Sequence, residues 1–251
     1  MPFFRRGLRP RVPANDRIAR LRRVLDLARA DYSHDFPEVT LRALPAAPPP
    51  GRLPRLELQP FRFPLPSPAR IAVLEGGFLP DRNLREFAIA DMTGLRNYAP
   101  EALVLPLGLA LSLADQKQRG LLKVPNLTTA VVVLTSLSDS PFEDHHRGLL
   151  WRAFRVPVFE QLRGWDGAII ARECEVHDGM HIDEAAAILH LHEDELLATQ
   201  LTTFTEPIVR ARTGLTGEIE TANCECALET PRLRNLASLR ANVTATATGR
   251  R

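Results

Sequence analysis

The sequence predicts an α/β fold, a partly parallel sheet with flanking helices joined to a β-rich lobe. The first observation is the β-branched run at 129–134, then a polar turn, a helix-spaced segment and a second apolar run at 156–159. Strand, helix and strand in that order make a βαβ unit, whose two strands run parallel. The second is a change of texture after Gly167, beyond which short strand-like segments separated by turns replace helical spacing. The chain divides accordingly into a basic arm, helix and Pro-rich segment at 1–68, an α/β lobe at 69–167, a β-rich lobe at 168–236 and a tail at 237–251.

Taken in order, residues 3–11 form a basic arm, read as a solvated terminus. Asn15 or Asp16 can cap a helix to about Ala30, where Ile18, Leu21, Val24, Leu25 and Ala28 recur at helical spacing with Arg17, Arg20 and Arg23 on the wet side. Prolines at 45, 48, 49, 50, 54, 60, 64, 66 and 68 fix φ and remove donors, so this segment should lie extended on the domain surface. Residues 70–74 read as a strand ending in a Gly76-Gly77 turn. Residues 82–97 read as mostly helical, and a helix is expected from Pro100 to Gln118. The run at 129–134 is a buried parallel strand, and the hydroxyls of 135–140 should cap a helix over 141–154. Strands follow at 156–159, 168–174, 186–192, 195–203, 208–212 and 217–222.

Bulk properties exclude several classes. A chain of 251 residues can bury a full core. With 32 basic against 30 acidic side chains it has no overall field directed at nucleic acid. Three cysteines cannot all pair within one chain, which speaks against a secreted disulfide scaffold and for the cytoplasm. No apolar run approaches the ~18 residues needed to span a bilayer, and the first thirty residues lack an apolar signal core.

All three cysteines lie in one region, at Cys174, Cys224 and Cys226, and His177 follows the first by three residues. Three sulfurs and one imidazole nitrogen suit tetrahedral zinc in a structural role, with His181 as the alternative nitrogen ligand. The competing reading makes the cysteines small buried hydrophobes. His190 and His192, and the pair His145-His146, read as solvated surface residues.

Five segments in order, 155–161, 173–181, 195–203, 210–214 and 224–226, resemble the phenylacetate–coenzyme A ligase family of AMP-forming adenylating enzymes, over roughly residues 97–236. The resemblance implies part of the N-terminal domain of such ligases, with ATP, magnesium, coenzyme A and an acyl or aryl carboxylate as ligands. It also implies a phosphate loop, a Thr-Glu pair for magnesium, a ribose-gripping aspartate and a lysine from a C-terminal domain. No Ser/Thr/Gly-rich phosphate loop occurs before Asn97, residues 162–167 read LRGWDG in place of Tyr-Gly-x-Thr-Glu, Gly214 is followed by Leu215, and neither Lys117 nor Lys123 lies near the required end. Asp166, Arg210 and Arg212 remain as candidates for residual nucleotide or anion contacts. The expectation is a degenerate member that has lost ATP-dependent adenylation, has no catalytic residues of its own, and serves as a binding, regulatory or complex-forming subunit, with a protein partner or as a homo-oligomer. The alternative is an AMP-forming ligase subunit acting on an aromatic carboxylate, with missing parts supplied by another chain.

Overall fold

The computed structural model describes residues 59–65, 70–121, 127–201 and 208–239. The expected helix at 16–30, most of the Pro-rich segment and the tail from 240 onward lie outside the described residues. Twelve strands and three helices follow one another within them: β1 (Ile71–Leu74), β2 (Leu84–Phe87), α1 (Met92–Tyr98), β3 (Ala102–Pro106), α2 (Leu107–Gln118), β4 (Ala130–Ser136), α3 (Asp144–Phe154) and β5 (Val158–Arg163). Then come β6 (Ile169–Glu173), β7 (Met180–Ile182), β8 (Ala187–His192), β9 (Glu195–Gln200), β10 (Ile208–Arg212), β11 (Leu215–Glu220) and β12 (Arg232–Ser238). A nine-stranded sheet has the order β11-β12-β7-β6-β5-β4-β3-β1-β2, and β10-β9-β8 form a second sheet. Strands β1 to β5 are parallel to their neighbours, and from β5 to β11 every pairing is antiparallel. The expected α/β fold, with a partly parallel sheet running into a β-rich lobe, is the observed one.

Burial explains the two faces of the large sheet. Leu103, Leu105, Val131, Val133 and Val158 pack on one side beneath α1, α2 and α3. On the other side Val104, Val132 and Phe159 pack against Phe61, Phe63 and Phe78. Strands covered on both faces read as continuous apolar runs, which is why β4 was legible. The described part of the Pro-rich segment lies without helix on this second face. Gln59 anchors it, donating to the Gly167 carbonyl at 2.9 Å and accepting from the Ile169 amide at 3.0 Å. The β-rich half closes a third cluster, Leu162, Ile170, Ala171, Ile182, Leu196, Ala198 and Leu233, between the two sheets.

Several expected elements differ. Within 82–97 the first part is strand β2, because Leu84 and Phe87 turn inward while Arg85 and Glu86 face water beside β1. The apolar run after Pro100 splits into β3 and α2 at Pro106, which holds an extended ψ of 149° as N-cap. A run buried on both sides carries no period with which to separate strand from helix. The hydroxyls of 135–140 do not cap α3. Glu143 does so through a capping box with His146, whose Nδ1 accepts from the Glu143 amide at 3.2 Å. Strands β7 and β12 were not anticipated. β7 is only three residues long, and β12 interleaves Arg232, Arg234 and Asn235 with its apolar positions.

Candidate metal centre and adjoining cleft

β6 ends at Glu173, and the chain reverses through Cys174 to Gly179 into β7. The reversal needs left-handed backbone at His177 (φ 58°) and Gly179 (φ 81°), and a Cβ on Gly179 would sit 2.9 Å from the Leu233 carbonyl oxygen. β12 pairs with β7, with Arg232 opposite His181. That pairing carries the 224–226 turn, which precedes β12, over the 174 turn.

The result is a compact group of Cys174, His181, Cys224 and Cys226, whose ligand atoms all lie within 4.8 Å of one another. Cys174 Sγ is 3.8 Å from Cys224 Sγ, and Cys226 Sγ is 3.2 Å from His181 Nε2. A tetrahedral ion with metal–sulfur bonds of ~2.3 Å separates its sulfurs by ~3.8 Å, which is the Cys174–Cys224 spacing. His181 Nδ1 lies 3.1 Å from Thr230 Oγ1. This orients the ring and leaves Nε2 toward the sulfurs, the usual outer partner of a metal-binding histidine. Burial lowers the His181 pKa and so favours the neutral imidazole that can act as ligand. Burial, aided by contacts with the other two thiols, pushes the Cys174 thiol up to about 12. A nearby cation would reverse that shift by stabilising thiolate. This buried Cys₃His group can bind a metal ion.

Of the sequence candidates, Cys174, Cys224 and Cys226 converge, and the fourth member is His181. His177 stands outside. Its left-handed backbone turns the ring onto Phe159 (centroids 4.2 Å apart, 16° between planes), with Nδ1 3.6 Å from Glu173 Oε2. Both histidines belong to one short motif. The choice between them depends on backbone direction in the turn, which spacing does not encode.

On the other side of His177 lies a cleft of about 1160 Å³ between α3, the 177–180 turn and the 233–236 part of β12. Its floor is a network that sequence reasoning missed. Arg147 donates to both oxygens of Glu173 (2.7 and 3.2 Å) and to the Val158 carbonyl. Glu173 also accepts from the Glu160 amide at 2.6 Å, and Thr135 Oγ1 donates to Glu160 Oε1 at 2.7 Å. Burial is the main cause that raises the Glu160 pKa to about 7, with Glu173 adding to it and the Thr135 bond and Arg147 opposing. A glutamate inside the apolar run VFEQL was the available sign, since an ionisable group in a buried strand needs a partner.

The candidate anion contacts do not assemble. Asp166 accepts from Gln200 Nε2 at 2.5 Å and from the Ala168 amide at 3.0 Å. Arg210 Nε donates to His190 Nε2 at 3.1 Å, and Arg212 donates to Glu195 at 2.5 Å. Gln200 and Glu195 are five residues apart on β9, which places their side chains on opposite faces and ~17 Å apart along the strand. Asp166 and Arg212 are therefore held on different faces of the second sheet. Leu215, after the Arg-x-Arg-Thr-Gly loop, is 4% exposed within the core of the β-rich lobe. Among the described residues no helix is long and apolar enough to cross a membrane.

The fold matches part of that of a solved CoA ligase. The chain is similar to 2-hydroxyisobutyryl-CoA ligase in an open conformation with 2-HIB-AMP and CoA, with a TM-score of 0.53 and 12% identity over 72% of this chain and 45% of that one. The same ligase in its thioesterification state gives a TM-score of 0.52 and 15% identity over 68% and 44%. The chain thus spans less than half the length of these ligases. No protein-family model and no curated protein matches the sequence.

Proposed function

We propose that this protein is a degenerate relative of the phenylacetate–coenzyme A ligases that no longer adenylates a carboxylate and acts as a binding, regulatory or complex-forming subunit. Zinc held by Cys174, His181, Cys224 and Cys226 would pin the 174 turn to the 224 turn. The observation that carries the reading is where the candidate nucleotide contacts are engaged. Leu215 is packed into the core where a ribose-binding carboxylate is expected from the resemblance. Asp166 is bonded to Gln200 and Ala168, and Arg212 to Glu195. The Asp166 carboxylate must give up its internal partners before it can hold magnesium, and the Glu195 carboxylate offsets the positive charge that Arg212 would offer a phosphate.

The test is a calorimetric titration of the purified chain with magnesium–ATP. The reading expects dissociation constants no tighter than about 1 mM, equivalent to about −4 kcal/mol. Micromolar binding that is lost in Arg212→Ala or Asp166→Ala would contradict it.

A further inference from the structure

Two arginines, one from the large sheet and one from the segment that crosses it, line a small pocket on the face away from the helices. Gln161 of β5 and Arg172 of β6 are cross-strand partners, so their side chains share a face. Phe159, two residues before Gln161, shows that this face lies under the 59–65 segment, because it packs with Phe61 and Phe63. Gln59, Arg62, Gln161, Arg172 and Asp183 border a cavity of about 200 Å³ there.

The walls are tied together by bonds that leave both guanidinium groups out. Gln161 Nε2 donates to the Arg62 carbonyl at 2.8 Å, and Gln59 holds the start of the segment through the Gly167 carbonyl and the Ile169 amide. Asp183 accepts from the Ala185 amide at 3.2 Å. Among the described residues neither the Arg62 nor the Arg172 guanidinium makes a hydrogen bond or an ion pair. Arg172 is half-buried. Burial weighs most against its charge, the like charge of Arg62 adds to that, and Asp183 opposes. A guanidinium nevertheless stays charged in a protein. The sheet therefore holds a cation with unused donors beside a second cation, a cost that a matching anion offsets.

Size and geometry narrow the ligand. Drug-sized molecules fill pockets of ~300–1,000 Å³, whereas this cavity has room for roughly six waters at ~30 Å³ each. Two guanidinium groups against one carboxylate leave a surplus of positive charge. Each arginine fork pairs with two oxygens, and two forks arriving from separate elements need more acceptors than one carboxylate supplies. A tetrahedral phosphate group has them.

We infer that this pocket binds a phosphate group, free or at the end of a small phosphomonoester, between Arg172 of β6 and Arg62 of the overlying segment. Its walls are fixed before the ligand arrives, so little ordering is needed on binding.

Calorimetric titration of the full chain with inorganic phosphate in chloride buffer tests this, and should give one site with a dissociation constant of about 1 mM or below. Arg172→Gln and Arg62→Gln should each weaken binding about ten-fold or more. Arg152→Gln, on an exposed position of α3, should leave it unchanged. Without phosphate the two pocket variants should melt within about 2 °C of the parent, and phosphate should raise the melting temperature of the parent alone. Arg62 is exposed and contributes only its carbonyl to the internal bonds, so Arg62→Gln decides the matter even if Arg172→Gln fails to fold. Glycerol phosphate binding more tightly than inorganic phosphate would assign the site to a phosphomonoester, and the reverse order to the free anion. Malonate binding more tightly than either, phosphate binding retained in both pocket variants or lost equally in Arg152→Gln, or no binding up to about 10 mM would overturn the inference.

Discussion

Protein purified without chelator is expected to contain one zinc per chain, and its removal should lower the melting temperature by about 6–20 °C. Cys174, Cys224 and His181 are buried, and their donor atoms cluster with that of Cys226 across fifty residues of sequence. Without a cation the group buries two thiols and an imidazole beside the half-buried Cys226 thiol, with only weak sulfur contacts among them. Structural zinc contributes about 10–16 kcal/mol where it organises an entire small domain. Here it joins two turns of a lobe that already has its own apolar core, so about 3–5 kcal/mol is the appropriate share. At about 2–4 °C per kcal/mol for a chain of this size, that gives the stated shift. Cys224→Ser and His181→Ala should each lose the metal and most of the shift, whereas His177→Ala should retain the metal. Metal analysis and scanning calorimetry read both quantities, and metal-free protein with an unchanged melting temperature would remove zinc from the account.

Stability should also fall as pH rises from about 4.5 to 7, and Glu160→Gln should abolish that fall. Glu160 is buried and accepts from Thr135, and its pKa in the fold is about 7 against 4.5 in the unfolded chain. The fold thus binds this proton more tightly than the unfolded chain does. Below pH 4.5 both states are protonated and no penalty exists. Between 4.5 and 7 the unfolded state loses its proton first, so folding is progressively disfavoured, and above 7 the loss is complete. A separation of about 2.5 pH units corresponds to roughly 3 kcal/mol. Glutamine keeps the acceptor for Thr135 and carries no charge. Urea denaturation should therefore find the variant near wild-type stability at pH 4.5 and up to about 3 kcal/mol more stable at pH 8. Parallel pH curves for the two proteins would show that Glu160 is not the titrating group.

Much of this fold was readable from residue pattern, and the failures have physical causes. The βαβ unit of β4, α3 and β5 announced itself because a strand buried on both faces is continuously apolar and a helix is not. β3 escaped for the same reason: Leu103 to Leu105 run into Leu107 to Leu111 without a polar break, and the helix expected from Pro100 begins only after Pro106, its N-cap. The three cysteines were legible as a set because chemistry of that kind is rare in the chain. Which histidine completes it was not, since His177 and His181 differ only in the direction their backbone gives them. The Arg147–Glu173–Glu160 floor joins α3, β5 and β6 and exists only once those elements pack, so no local motif contains it.

Carboxylate-dependent exchange of labelled pyrophosphate into ATP by the purified chain tests the proposed ligase-like scaffold without adenylation chemistry. Adenylation requires donors and positive charge preorganised on the transferring phosphates, whereas Arg212 is bound to Glu195 and position 215 is a buried leucine. No exchange above the protein-free rate is expected with phenylacetate, 2-hydroxyisobutyrate or other aryl and short-chain carboxylates. Exchange that depends on the carboxylate and disappears in Asp166→Ala or Arg212→Ala would show that the chain is an active enzyme.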